Sequence, residues 1–367
     1  MNVLFLTQYD MNGPSSRVRV YQFAPLLKAR GIQCDIRPLV TGPVKEMLNT
    51  LLTSESSWAR AKVCLHIVGR FAARYRDVLS ARNYDVVVIQ KDVLPFGLFH
   101  LLMLVNRRVV YEFDDAIWEP SPNSNGKSLV LKLIFSYRRR LFLRLLRRAA
   151  VVIAENSYLA DFAHRYNAAV EVISAPVDTE KYRPQEARED DTVVLGWLGS
   201  PMTSYLLERL REPLTAVSRA VPGVAFHNIA GNPVEFPGVR VTNIPWSEEQ
   251  EVAYLSRFDV GLMPLDDSEF NKGRLGYKML IYASMGLPIV ADDVGLNREV
   301  VTNGVNGYLV SGSEEWAEKL TLLARDGALR ARMGSAGRER AVHSYDLRIC
   351  ADILVRAIER AARHWHG

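Results

Sequence analysis

Cysteine is scarce in this chain. Only three of 367 residues are Cys (Cys34, Cys64 and Cys350), and they are far apart with no CxxC pair. That excludes a disulfide framework and a zinc knuckle and fits a reducing compartment. The seven histidines form no HExxH, so a zincin-type metal site is excluded as well. Long apolar runs are also missing. The opening MNVLFLTQYD is too short for the core of a signal peptide and has no basic leader. The longest later stretch, 96–105, carries His100 and is half of the roughly 20 residues that a bilayer requires. The expectation is a chain neither exported by a conventional signal nor spanning a membrane. Charge is moderate, with 46 Lys plus Arg against 41 Asp plus Glu, a net +5. With 48% hydrophobic residues, the composition fits a globular cytoplasmic protein of two domains, at about 150 residues per domain.

What is present is an alternation of strands and helices. NVLFLT at 2–7 runs into a loop holding Gly13, Pro14, Ser15 and Ser16, with Arg17 and Arg19 close behind. A helix is expected over VRVYQFAPLLKARG, kinked at Pro25 and stopped at Gly31. Buried-type strands are expected at 85–90, 108–113, 150–154 and 170–173. Residues 183–191 (RPQEAREDD) read as a linker. TVVLGWLGSP then restarts the pattern, with a helix from about Thr203 and strands at 223–229, 239–242, 258–263 and 287–291. The alternation predicts an α/β fold of two doubly wound domains, 1–182 and 192–345. An amphipathic helix within 346–367 is expected to pack back toward the N-terminal domain. Sheets of this kind bind ligands at the carboxyl ends of their strands, which places the expected site in a cleft between facing domains.

Segment 259–310 is the most informative. A strand ending at Pro264 is followed by Asp266 and Asp267, then by Lys272, Gly273, Arg274 and Gly276 ahead of a helix expected near Leu275. Unpaired N–H groups and the positive dipole end at a helix start favour an anion. With Lys272, Arg274 and Lys278 nearby, a phosphate-bearing ligand is one reading and a solvated surface cluster is the other. Asp114 and Asp115 follow a strand directly; adjacent buried carboxylates repel, so at least one must face solvent or pair with a cation or hydroxyl. Over 127–148 there are eight Lys or Arg and no acid. Lys132, Arg139, Arg140, Arg144, Arg147 and Arg148 fall on one side of a helical wheel. Leu131, Ile134, Phe135, Leu141, Phe142, Leu145 and Leu146 fall on the other. A second basic stretch, 58–82, includes Trp58, Arg70 and Arg74. Such helices either touch an anionic membrane surface or pack their apolar side on the sheet and leave the arginines in water. No nucleic-acid recognition motif accompanies the charge. The first loop lacks G-x-G-x-x-G, which disfavours a dinucleotide oxidoreductase.

KGRLGYKMLIYASMGLPIVADDVGLNREVVTNGVNGYLV (272–310) resembles the donor-binding region of retaining GT-B glycosyltransferases of family 4. GPSSRVRVYQFAPLLKARGI (13–32), YEFDDAIW (111–118), NSYLADFA (156–163), PVDTEKYRP (176–184) and GWLGSPMTSYLL (196–207) are similar to a bacterial branch that builds exopolysaccharide and cell-surface glycans. The resemblance runs in order through nearly the whole chain. It implies two Rossmann-like domains facing a central cleft and a UDP- or GDP-sugar as donor. It further implies a glycan or lipid-linked acceptor, retention of anomeric configuration, and no metal or other cofactor. On its motifs the donor would meet Gly13, Ser200, Gly231, Lys272, Arg274, Lys278, Asn297 and Glu299. Arg274 and Lys278 would stabilise the leaving group, and Asp114 or Asp115 would accept a hydrogen bond from the acceptor hydroxyl, unless the pair only caps its loop. The chain departs from the commonest pattern at Gly273 and Ile281, where many members carry glutamates, and in the cation-free loop Gly199–Thr203. These departures motivate an alternative, a sugar-nucleotide-binding partner subunit without catalysis. The expected place of action is the cytoplasm, peripheral on the inner face of the plasma membrane, with no nucleic acid involved.

Overall fold

The computed structural model describes residues 1–42, 57–119, 129–185, 191–229, 231–268, 271, 273 and 276–363. The chain divides into two compact units, Met1–Pro176 with Cys350–Gly367, and Val177–Ile349.

The first unit is built on a parallel sheet ordered β2-β1-β3-β4-β5-β6. The strands are β1 (Asn2–Tyr9), β2 (Gln33–Val40), β3 (Val86–Gln90), β4 (Val109–Phe113), β5 (Val151–Ala154) and β6 (Val170–Val172). β3, β4 and β5 are buried along their whole length, as strands covered on both faces must be, and their Val/Ile-rich sequences reflect it. Helices α1 (Pro14–Arg19), α2 (Ala24–Ala29), α3 (Ser57–Ser80), α4 (Leu98–Val105), α5 (Leu129–Arg148) and α6 (Ser157–His164) connect them. Leu4, Val87, Tyr111 and Phe113 meet Leu102, Phe142 and Leu145 in one core.

Three details differ from the expected pattern. The helix expected over 18–31 starts earlier, at Pro14, and breaks at Val20, where φ is −135°. A 3-10 turn over Tyr21–Phe23 comes next, and Pro25 then sits in the first turn of α2, where its missing N–H costs nothing, rather than at a kink. β2 was not among the expected strands; it is an edge strand, half-buried from Cys34 to Val40, and tolerates Pro38 because it lies at the edge. In α5 the apolar side of the wheel is buried from Leu141 onward, whereas Leu133, Ile134 and Tyr137 in its first half are exposed. In α3, Arg74 turns inward: its Nη groups donate to the carbonyls of Thr7 (2.8 Å) and Arg37 (2.9 Å), with Asp92 3.4 Å from Nε. Arg70 donates to the carbonyl of Leu39 at 3.0 Å. These two arginines satisfy backbone carbonyls of the sheet.

The C-terminal helix, Leu347–Arg363, buries Leu354, Ala357, Ile358 and Ala361. Arg360 pairs with Glu171 at 3.0 Å, and Cys350 Sγ reaches the carbonyl of Ser174 at 3.9 Å.

The second unit has the sheet order β12-β11-β10-β7-β8-β9, again all parallel. Its strands are β7 (Val193–Leu198), β8 (Val224–Ile229), β9 (Arg240–Ile244), β10 (Val260–Met263), β11 (Ile289–Asp292) and β12 (Gly307–Val310). The helix expected from Thr203 opens as a 3-10 turn over Pro201–Leu210 before α7 (Arg211–Ala220). Next in the chain are α8 (Glu251–Leu255), α9 (Tyr277–Ser284), α10 (Asn297–Val300), α11 (Gly312–Arg325) and α12 (Gly327–Arg340). Residues 177–185 belong here: Val177 N donates to Tyr345 O (2.9 Å), Tyr182 Oη to Glu251 (2.5 Å) and Arg338 to Thr179 O (2.8 Å). The division by contacts therefore falls at Pro176, ahead of the 183–191 segment, of which 186–190 lie outside the described residues. Among the described residues no helix is long and apolar enough to cross a membrane.

Arg74→Met would leave the Asp92 carboxylate buried without its cation and two sheet carbonyls without a donor. The expected loss is about 3–5 kcal/mol, read as a lower urea midpoint at unchanged slope.

Candidate functional site

In the first unit the strand order reverses between β1 and β3, the place where open parallel sheets take ligands at their carboxyl ends. A polar network gathers there. Ser16 Oγ donates to Gln90 Oε1 (2.7 Å), Gln90 Nε2 donates to Ser15 Oγ (2.9 Å), and Ser15 Oγ donates to Asp114. Lys91 Nζ lies 2.8 Å from Asp114 Oδ1 and also donates to Asp115. The network continues through Arg19, whose Nε donates to Glu112 Oε1 (2.7 Å) and whose Nη1 donates to Ile173 O (2.6 Å) and lies 3.9 Å from Glu155. Gly13 caps α1, and a Cβ there would overlap the side chain of Tyr9.

Two cations, Arg19 and Lys91, thus face four carboxylates, so full ionisation would leave the network negative. The protonation equilibria reflect that imbalance. Burial, with Asp114 nearby, pushes Glu112 up to about 7 despite Arg19. Burial raises Glu155 well above the ordinary carboxylate range. For Asp114, burial is outweighed by Lys91 and Ser15, which hold it below its usual value. Burial alone would lower Lys91, but Asp114 and Asp115 overcome it and raise the ammonium pKa. Asp114 is the more enclosed of the pair and is held by two donors, whereas the Asp115 side chain is 27% exposed.

In the second unit the reversal lies between β7 and β10. Trp197, fully buried near the end of β7, organises the loops around that edge. Lys278 Nζ, in the first turn of α9, sits 4.3 Å from the centre of the indole. A Cβ at either Gly199 or Gly231 would run into the same ring, so only glycine lets those two loops close over it. Ser200 forms a capping box with Thr203, and Ser204 Oγ accepts from Asn232 N at 2.7 Å, joining the loops after β7 and β8. α9 begins at Gly276 with no side chain capping it.

The site residues expected from sequence therefore separate by role. Gly13, Asp114 and Asp115 come together through Ser15 and Lys91 in the first unit. Ser200, Gly231 and Lys278 come together around Trp197 in the second. Asn297 is buried and donates to Asp292 O at 2.8 Å, leaving its Oδ1 without a partner. Glu299 is half-buried on α10, its carbonyl accepting from Tyr345 Oη at 3.1 Å. Lys272 and Arg274 lie outside the described residues. Gln90, Lys91, Glu112 and Glu155 were missed; they lie at or next to the ends of three different strands, and only the strand order brings them together.

Because Glu112 binds a proton more tightly folded than unfolded, its contribution to stability falls as pH rises from about 4.5 through about 7. Glu112→Gln should flatten that segment of the stability profile by about 1–3 kcal/mol in denaturant titrations at pH 5, 6, 7 and 8.

A family model described as Glycosyl transferases group 1 matches residues 214–326. No curated protein matches the sequence. Sucrose-phosphate synthase from Thermosynechococcus elongatus is 14% identical, with 98% of each chain covered and a TM-score of 0.67. HepE from Anabaena in complex with UDP-glucose is 16% identical, covering 98% of this chain and 99% of its own at a TM-score of 0.68. A glycosyltransferase from Rickettsia africae is 13% identical over 98% of both chains, with a TM-score of 0.67. At such identities the likeness speaks for the fold: the protein has the two parallel-sheet α/β units of GT-B glycosyltransferases.

Proposed function

We propose that the protein is a glycosyltransferase that moves a sugar from a UDP- or GDP-sugar to a glycan or lipid-linked acceptor, with retention and without a metal. The observation that carries this reading is Lys278 held over Trp197, where the glycine loops after β7 and β8 close on the same indole. Lys278 stands in the first turn of a helix whose N-terminal N–H groups favour an anion, a fitting place for a leaving diphosphate. The family match of 214–326 and the UDP-glucose bound by HepE support a nucleotide sugar as donor. Lys272 and Arg274 would add to the same charge.

On the acceptor side, Asp115 is the carboxylate with room for an incoming hydroxyl, and Asp114 fixes Lys91. Metal independence is supported by the state of the acids in this network, which Lys91 and Arg19 already neutralise in part. Retention follows from the family resemblance, in which the leaving phosphate assists the incoming hydroxyl and charge stabilisation carries most of the barrier reduction. The acid-free basic helix α5 would hold the enzyme to an anionic leaflet at about 1 kcal/mol per cation near the surface.

Calorimetry with UDP, GDP and their nucleosides tests the donor site. Lys278→Ala should weaken the diphosphates roughly 10- to 150-fold and leave the nucleosides nearly unchanged. Equal losses on both would make Lys278 structural. Turnover of a nucleotide sugar that survives EDTA is expected; binding without turnover over a broad acceptor panel would favour a partner subunit instead. Replacing Arg140, Arg144, Arg147 and Arg148 with Gln should reduce sedimentation with anionic vesicles.

A further inference from the structure

We infer that Phe96 is an apolar anchor that enters the acyl boundary of an anionic bilayer, beside the exposed Leu133, Ile134 and Tyr137 of α5. The inference rests on the membrane reading of α5 and adds to it a component that electrostatics does not supply.

The loop between β3 and α4 is strained. Leu94 and Phe96 have φ of 47° and 54°, and Gly97 is next at 82°. A bulky residue in this region costs on the order of 1–3 kcal/mol and persists only when its surroundings fix it. Here they do. Phe96 N donates to Tyr137 Oη of α5 at 3.0 Å, and Phe96 O accepts from Tyr75 Oη of α3. One edge of the ring contacts Phe71, with centroids 5.4 Å apart. Yet the residue is 64% exposed. Glycine would relieve the backbone, and a fold that merely needed the apolar ring would bury it. The chain instead holds a strained phenylalanine in water.

Its neighbourhood says what it meets. Leu133 and Ile134, 63% and 49% exposed, lie four and three residues before Tyr137 and so share its face of the helix. Lys132, Arg138, Arg139, Arg140, Arg144, Arg147 and Arg148 are all exposed, and α5 contains no acid. Exposed apolar side chains set among the cations of an acid-free helix match anionic headgroups over an acyl layer. A purely polyanionic partner would have no use for the ring.

The test is co-sedimentation with phosphatidylglycerol–phosphatidylcholine vesicles at low and at about 1 M salt, where the Debye length falls to about 3 Å. Wild type should keep a salt-resistant bound fraction. Phe96→Gly, which suits the local φ, should lower partitioning roughly ten- to hundred-fold while the thermal midpoint holds or rises. Leu133→Ser, at an exposed position, should lower it in the same direction. Both variants sedimenting like wild type at both salts would overturn the anchor while leaving the basic helix as the membrane contact. Salt releasing wild type completely, with a single-stranded RNA oligonucleotide bound equally by wild type and Phe96→Gly, would overturn it in favour of a polyanion surface. No sedimentation of wild type at all would overturn anchor and membrane reading together, with nucleotide binding judged separately by calorimetry.

Discussion

Arg19 places a guanidinium at the carboxyl edge of the first sheet with 4% of the residue exposed, and a cation so far from water must be met by charge and hydrogen bonds. Glu112, on the neighbouring end of β4, answers it directly, and Glu155 at the end of β5 adds a second carboxylate. Those acids overcompensate once Asp114 and Asp115 join them at the same strand end, so a second cation is required, and Lys91 supplies it from β3. The serines after β1 close the network through Gln90. The same necessity explains why Lys91 is kept in a left-handed backbone conformation, φ 60°, which its side chain disfavours.

The second sheet ends in different chemistry. Its edge is organised by an uncharged aromatic plane, with small residues folded over it and a cation laid across it. Asp292 on β11 is engaged by Trp316 Nε1 at 3.1 Å, Leu265 N at 2.8 Å and Arg209 at 3.2 Å, and Asp266 after β10 accepts from Asn271 Nδ2 at 2.8 Å and Tyr205 Oη at 3.3 Å. One edge therefore gathers carboxylates and hydroxyls around two cations, and the other sets a cation over an aromatic plane.

Most of the strands were legible because strands buried on both faces are written as unbroken apolar runs, VVVIQ and VVIA being examples. β2 was not, since an edge strand with no fully buried residue shows no such run. Pro25 was ambiguous in principle: a proline within an apolar periodic stretch marks either a kink or a first turn, and only the break at Val20 decides. The wheel of α5 was right about period and wrong about extent, because periodicity cannot say where the domain beneath a helix stops. Lys91 carried no signal, being a lone cation at a strand end. Its partners at 114 and 115 become neighbours only through the pairing of β3 with β4. The pairing of Lys278 with Trp197 was hidden in the same way, although both residues lay in segments that the motifs singled out.

The first unit is also not a continuous stretch of chain, since its last helix arrives after the whole of Val177–Ile349. During synthesis the chain emerges from its N-terminal end, and domains tend to fold as they appear. The sheet of the first unit can assemble early, but its ion pairs from Arg30 to Asp352 and from Glu171 to Arg360 have no second member until the segment beyond Ile349 has been made. The earlier-made half of the protein is therefore the later one to be completed, and its completion reports that the whole of the second unit has already left the ribosome.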